Sequence, residues 1–292
     1  MSWILSAFAD EAGESTDEQL AVLKQTGLDH IDPRNVDGHT ITDLPVDHAR
    51  EVKARYDEAG IRVNMFGSPI GKIDIADDFQ VDLDRLQRLA KLAEVFDCRA
   101  VRIFSYFNAN SVSEHEWRAA SLERLNKLVD LAEKLDLVLY HENEKHIFGE
   151  PVRRVTVLRD EIHSRRGERF KMIFDFDNYN QAGEDVWAAW QALGEAAAAI
   201  HLKESKRQPD GSFQHVPMGT GDGHAPRVLA DLAERGWEGP LTLEPHLAHS
   251  AAVLATGPSG AANQALSDLT PAECFAIAAD AAKKLLVDVG KR

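Results

Sequence analysis

Short apolar segments and longer helical patterns alternate eight times along this chain, and that alternation leaves few folds open. Extended segments are predicted at 3–9, 29–33, 62–69, 100–107, 137–144, 171–177, 198–204 and 240–246. Between them, Leu83, Leu86, Leu89, Ala90, Ala93 and Phe96 form one apolar stripe at helical spacing, and Leu122, Leu125, Val129, Ala132 and Leu135 form another. Thr16 with Gln19 reads as a capping box that opens the first helix. Gly27, Gly60 and Gly236 each follow a helical stretch and precede a strand, where a left-handed cap is needed. Strict β–α alternation requires a parallel sheet with helical crossovers. Eight such units in 292 residues predict an α/β fold, a closed (β/α)8 TIM barrel, as a single domain over 1–292. The rival is an open Rossmann-like sheet, but AFADEAGES after the first strand carries no G-x-G-x-x-G. The Ala/Gly/Ser-rich stretch at about 248–269 is expected to be a long loop, either a lid or a plain connection. A final helix is expected over about 271–289.

Composition narrows the partners. With 33 Lys and Arg against 48 Asp and Glu the net charge is −15, which argues against nucleic acid and against an anionic membrane surface. Cys98 and Cys274 are the two cysteines, too few for a disulfide framework or a Cys-rich zinc motif. The N-terminal MSWILSAFADEAGE has no basic region and turns acidic at Asp10, unlike a secretory signal. No apolar stretch approaches the ~20 residues of a membrane span. A soluble protein of a reducing compartment, the cytoplasm, is expected.

Catalytic residues of such barrels lie at the C-terminal ends of the strands. In the fifth segment alternation puts Val138, Tyr140, Glu142 and Glu144 on one side. In the sixth it groups Ile173, Asp175 and Asp177, in the seventh His201 and Lys203, and in the eighth Thr242, Glu244 and His246. Four consecutive strands thus end in Glu142, Asp175, His201 and Glu244. Carboxylates gathered so closely need compensation. A divalent cation supplies it, and an oxygen-rich set suits Mn²⁺ or Mg²⁺, with Zn²⁺ and Co²⁺ also compatible. An ionic network through Arg102 and Lys203 satisfies the same pattern, and spacing does not separate the two.

The segments SAFADE (6–11), SPIGKI (68–73), VRIFSYF (101–107), HENEKHIFGE (141–150), FDFDN (174–178), IHLKES (200–205), HVPMGTGDG (215–223) and LTLEPHL (241–247) run nearly end to end. In that order they resemble the xylose isomerase-like TIM barrel superfamily of sugar phosphate isomerases and epimerases, within it a subgroup carrying SPIGK. The resemblance implies one divalent metal ion on Glu142, Asp175, His201 and Glu244, with Mn²⁺ preferred. Ketose epimerases of the superfamily carry D-x-x-H on the sixth strand, and here Asn178 stands at the position of that substrate-binding His. The extra histidines of the related AP endonucleases are not evident at Gly67–Pro69, which agrees with the charge in disfavouring DNA.

The implied activity is proton abstraction beside a carbonyl through an enediolate, with small sugars or keto sugars as substrates. Glu142 and Glu244 approach from different sides and are expected to act as ligands and as the acid/base pair. Asp175 and His201 are expected to be ligands only, with Glu204 or a backbone carbonyl holding the second ring nitrogen of His201. His141 is a further catalytic candidate, although regular alternation points it outward. Lys72, Arg102, Lys145, Asn178 and His246 are candidate substrate contacts, Arg102 doubling as a neutraliser of Glu142. Phe8, Phe66 and Phe104 stack on a sugar or fill the core. Gly219, Gly221 and Gly223 resemble a phosphate cradle, but Asp222 repels phosphate, and the reading leans to a non-phosphorylated substrate. The alternative is a lyase, cleaving carbon–oxygen or carbon–carbon bonds of 3-keto glycosides, C-glycosides included, by β-elimination from the same enolate. There His141 or Lys145 assists the leaving group. A sugar binder without turnover is the third reading, disfavoured by two carboxylates placed for proton transfer. Relatives of this kind form homo-oligomers or take a small partner subunit.

Overall fold

A computed structural model describes residues 3–109, 112–248 and 263–290. Eight strands run parallel around one axis: β1 (Ile4–Ala7), β2 (His30–Ile31), β3 (Arg62–Val63), β4 (Ala100–Ile103), β5 (Val138–Glu142), β6 (Phe170–Asp175), β7 (Ala197–Leu202) and β8 (Pro240–Leu243). Six of them form one hydrogen-bonded sheet in the order β1-β8-β7-β6-β5-β4, and β2 pairs with β3 separately. The ring closes through a few backbone links. Asp32 N–H donates to Ala7 O at 2.9 Å, and Phe66 bridges Val101. Ser6 Oγ, Asn64 Nδ2 and Thr242 Oγ1 all donate to the buried Asp32 carboxylate, at 2.7, 2.8 and 2.6 Å, tying β1, β3 and β8 to β2. The architecture is therefore the (β/α)8 barrel that the alternation predicted.

The third extended segment is much shorter than predicted. Its regular pairing stops at Val63, because only Phe66 regains a ladder position on β4 before the chain turns at Ser68. The first helix, α1 (Thr16–Thr26), is capped one residue earlier than expected: Ser15 and Glu18 form the capping box, while Gln19 Nε2 donates instead to Asn35 O at 3.0 Å. Gly27 and Gly60 take φ of +62° and +72° at the ends of α1 and α2 (Val46–Ala59), as a left-handed cap requires. The apolar stripes become α3 (Gln80–Phe96) and α4 (Glu114–Lys134). Helix α5 (Val152–Leu158) follows β5, α6 (Val186–Leu193) follows β6 and α7 (Ala225–Glu234) follows β7. The final helix is α8 (Pro271–Asp288), opened by a Thr270–Glu273 capping box. Most of the loop expected at about 248–269 lies outside the described residues.

Two apolar cores confirm which way each strand faces. The large one fills the space between strands and helices. A small one inside the barrel consists of Met65, Ile173 and Ala199, with Ala100 and Tyr140 packed on it. Tyr140, Ile173 and Ala199 stand two residues before Glu142, Asp175 and His201, so those three side chains project into the barrel one layer higher. Among the described residues no helix is long and apolar enough to cross a membrane.

Candidate active site

Glu142 closes β5, Asp175 closes β6, His201 is the penultimate residue of β7, and Glu244 follows β8 directly. Parallel register brings them together: Asp175 pairs with His201, and Thr242, two before Glu244, pairs with the same His201. One ligand atom from each of the four lies within 4.8 Å of the others, and all four residues are buried. His201 Nδ1 faces the three carboxylates, 3.0 Å from Glu142 Oε1, 3.4 Å from Glu244 Oε2 and 3.9 Å from Asp175 Oδ2.

Electrostatics show what this cluster needs. Burial pulls the His201 imidazole down, but Glu142 and Glu244 outweigh it and lift the ring to about 10. Burial pushes Asp175 up to about 7, despite Lys203 beside it. Glu142 and Glu244 are also driven up by burial, yet the cations around them win and hold both below the ordinary range. For Glu142 these are His201 and Arg102, and for Glu244 chiefly Lys203. Asp175 Oδ2 and Glu244 Oε2 make no hydrogen bond although both are buried. Three inward carboxylates with unspent acceptors around one imidazole are a fitting donor set for a divalent ion, which supplies the demanded positive charge and releases the imidazole proton.

Cations surround the cluster. Arg102 Nη1 lies 3.2 Å from Glu142 Oε2, so its guanidinium neutralises the ligand carboxylate. Lys203 Nζ stands 3.1 Å from Asp175 Oδ2 and 3.5 Å from Glu244 Oε2. Arg34, after β2, was missed in the sequence. Its Nη1 donates to Glu244 Oε1 at 2.8 Å, and its Nε donates to Asp10 Oδ2 at 2.9 Å. Phe8 lies between the two guanidiniums, each 4.6 Å from its centroid, and edge-on to His201. Glu11, Glu244 and His246 form a second close trio, but Arg34 Nη2 also reaches Glu11 Oε1 at 3.4 Å, so a guanidinium already meets that group's charge.

The remaining candidates divide into those the fold gathers and those it turns away. His246 takes φ of +49°, and its Nε2 lies 3.4 Å from Glu244 Oε1 and 3.3 Å from Glu11 Oε1. Burial lowers His246 to about 3 and raises Glu11 to about 8. Asn178 lies in the short helix Phe176–Gln181 that follows β6 and is capped by Asp175: its backbone N–H donates to Asp175 Oδ1 at 2.8 Å, and its amide reaches Glu142 Oε1 at 3.5 Å. Lys72 and Lys145 stand further out. Lys72 donates to Glu144 Oε2 at 2.9 Å over the Phe104 ring, and Lys145 donates to Gln181 Oε1 at 2.7 Å. Burial lowers the Lys145 pKa, and Lys203 adds to the effect. His141 is not brought to the four. Its ring stacks on Phe170 beside Gly149, facing the helices, with both nitrogens unpartnered, and burial takes it down to about 3. Phe66 packs against Phe96 in the outer core.

One expectation is corrected. Glu204 does not hold His201. The strand ends at Leu202 and a new one begins at Glu204, which resets the alternation and aims Glu204 at the following loop. There it accepts from Gly219 N at 2.6 Å and from Gly221 N and Ala225 N at 3.3 Å. Within the GTGDG segment the N–H groups of Gly219 and Gly221 are thus already met by a carboxylate, in keeping with the lean away from a phosphorylated substrate. His201 Nε2 has no hydrogen-bond partner among the described residues.

The chain is similar to known proteins. A model of the xylose isomerase-like TIM barrel family matches residues 20–267. L-ribulose-5-phosphate 3-epimerase UlaE of Salmonella paratyphi A is 25% identical over 244 residues, covering 80% of this chain and 83% of the epimerase. A xylose isomerase-like TIM barrel protein from Mycobacterium smegmatis, solved in complex with magnesium, superposes with a TM-score of 0.70 at 15% identity, over 99% of this chain and 98% of the other. The E. coli 3-keto-D-glucoside 4-epimerase YcjR superposes at 0.65 with 16% identity, over 98% and 99%. The span matched by the family model, with the barrel it describes, establishes that this chain belongs to the xylose isomerase-like TIM barrel family.

Proposed function

We propose that the chain is a divalent-metal-dependent sugar isomerase or epimerase that works by proton transfer beside a carbonyl. The observation that carries this reading is the convergence of Glu142, Asp175, His201 and Glu244 within 4.8 Å. Epimerases among the relatives support the reaction class. The oxygen-rich donor set favours Mn²⁺ or Mg²⁺, with Zn²⁺ and Co²⁺ as softer alternatives.

A bound divalent ion acts as a Lewis acid that lowers the cost of charge on the enediolate oxygens. The protein does the rest. Glu142 and Glu244 are both held ionised, so each is a proton acceptor as it stands. They reach the substrate from β5 and β8, three staves apart, and take the roles of base and conjugate acid on opposite faces of the reacting carbon. Arg102 and Arg34 fix the two carboxylates by their outer oxygens, leaving the inner ones for ligation and chemistry. Asn178 and His246 border the same space and bind substrate hydroxyls, with Lys72 and Lys145 at the mouth.

The test is wash-in of solvent deuterium. Mn²⁺-loaded protein is incubated in D₂O with L-ribulose, D-fructose and methyl 3-keto-D-glucoside, and carbon-bound deuterium is read by mass spectrometry. Exchange with the carbon skeleton intact supports the reading. Release of methanol from the glucoside without exchange into recovered sugar replaces it with the lyase, and no exchange on any of the three overturns it.

A further inference from the structure

We propose that His215 is a hydroxyl-recognition residue of the substrate site, placed by Asp177, so that the substrate carries a free hydroxyl beyond the two oxygens flanking its reacting carbon. This deepens the sugar reading above and rests on it.

Between β7 and α7 the chain forms a hairpin, Glu204–Arg207 against Phe213–Val216, whose register sets Ser205 directly opposite His215. The two residues are therefore on one face, and both are buried, while Lys206 and Gln214 face outward and are not. Both side chains grip Asp177, which lies just after β6. Ser205 Oγ donates to Oδ1, and His215 Nε2 stands 3.1 Å from Oδ2. Gln181 Nε2 donates to the same carboxylate, so Asp177 is an acceptor surrounded by donors. Nε2 thus faces the carboxylate, with Gln181 Nε2 3.3 Å away on the same side, and the tautomer that donates from Nε2 to Asp177 leaves Nδ1 as an acceptor.

His215 Nδ1 has no hydrogen-bond partner among the described residues, although the side chain is 1% exposed. The ring stands edge-on to His246 at 5.0 Å, and His246 lies 3.4 Å from the candidate ligand Glu244. His246 Nε2 is turned instead to the Glu11 and Glu244 carboxylates, 3.3 and 3.4 Å away. One buried ring nitrogen without a partner among the described residues, His215 Nδ1, thus sits beside the residue that borders the candidate metal-ligand cluster. A clasp that merely fastened the hairpin to β6 would need only the Nε2 contact. The second nitrogen is explained by a donor that arrives with the substrate, and a sugar hydroxyl has the required chemistry.

Two substitutions divide the ring's functions. His215→Gln keeps a donor near the Nε2 position for Asp177 and loses the acceptor at Nδ1, whereas His215→Asn keeps a polar atom at the Nδ1 position. In the deuterium assay, on whichever of the three sugars exchanges, His215→Gln is expected to raise KM about tenfold with kcat within about twofold, and His215→Asn to recover most of the loss. Histidine-selective ¹⁵N NMR of the Mg²⁺-loaded wild-type protein is expected to show an unprotonated Nδ1 that shifts when L-ribulose or the exchanging sugar is added. An unchanged KM in His215→Gln, or a protonated Nδ1 in the free protein, overturns the proposal while exchange by the wild type leaves the sugar reading standing. Absence of exchange in the wild type removes the sugar reading itself. Should His215→Gln fail to fold, the NMR measurement on the wild type decides.

Discussion

Lys203 Nζ lies 3.1 Å from Asp175 Oδ2, one strand across from it and buried with it. Removing one partner of a buried pair leaves an uncompensated charge, at a cost of about 3–5 kcal/mol. Lys203→Met is therefore expected to lower the melting temperature of chelator-treated protein markedly. Added Mn²⁺ should restore most of the loss, because the ion supplies the missing positive charge. Thermal melts with EDTA and with Mn²⁺ check this, and equal losses under both conditions would count against a metal in the cluster.

Glu142→Gln removes the charge of a proposed ligand, and one of the two proposed proton acceptors, while preserving shape. The amide oxygen can still accept from Arg102, so the variant is expected to fold. Isotope exchange should fall by roughly 10²–10⁴, the usual scale for losing a general base. Circular dichroism beside the exchange assay separates lost chemistry from lost structure, and full activity would remove Glu142 from the acid/base pair.

Glu204 accepts three backbone N–H groups from the segment that leads into α7. Glu204→Ala removes the acceptor from all three, and the one buried donor, Ala225 N–H, costs about 1–3 kcal/mol when unmet, while those of Gly219 and Gly221 can turn to water. A lower melting temperature and faster proteolysis within 217–223 are expected. Glu204→Gln, which keeps one acceptor oxygen, should lie between Glu204→Ala and wild type.

His48 and Asp37 make a surface pair at 2.9 Å whose pKa values move apart. A hydrogen bond to Glu51, aided by Asp37 against partial burial, raises His48 above 6.5. Partial burial pushes Asp37 up, but donors from Thr16 and His48 outweigh it and hold the carboxyl below 3.8. The raised imidazole contributes stability below 6.5 that is lost as pH rises through its folded value. The depressed carboxyl contributes stability above 3.8 that is lost as pH falls through its folded value. The melting difference between wild type and His48→Ala should therefore peak between those limits and vanish toward both extremes. A difference that does not change with pH would show that packing, not charge, holds the pair.

The eight staves and the four ligand candidates were legible because both obey period two. Tyr140–Glu142, Ile173–Asp175 and Ala199–His201 each step one layer up the barrel, and the inner core confirms the step. Arg34 was not legible, since β2 is two residues long and too short for alternation to orient the residues beyond it. His215 escaped for a different reason. Its place depends on a hairpin register and on a partner 38 positions earlier in the chain, Asp177, and no local pattern encodes that distance. The same break in periodicity after Leu202 misdirected Glu204. Charge at a strand end announced the site, but which cation answers which carboxylate was decided by tertiary packing.

Hydrogen bonding runs unbroken from β4 through β8 to β1 and thins beside the β2–β3 pair, to the one bond from Asp32 to Ala7 on one side and the bridge at Phe66 on the other. The barrel thus has a seam. Transient opening is steered to that flank, away from the four staves that converge on the metal-ligand cluster, and amide protons of Asp32 and Phe66 should trade with solvent sooner than those of Ile173 and Ile200. On this asymmetry the flank that carries Arg34 is the more loosely laced side of the wall, and the strands that end in Glu142 and Asp175 are the more firmly held.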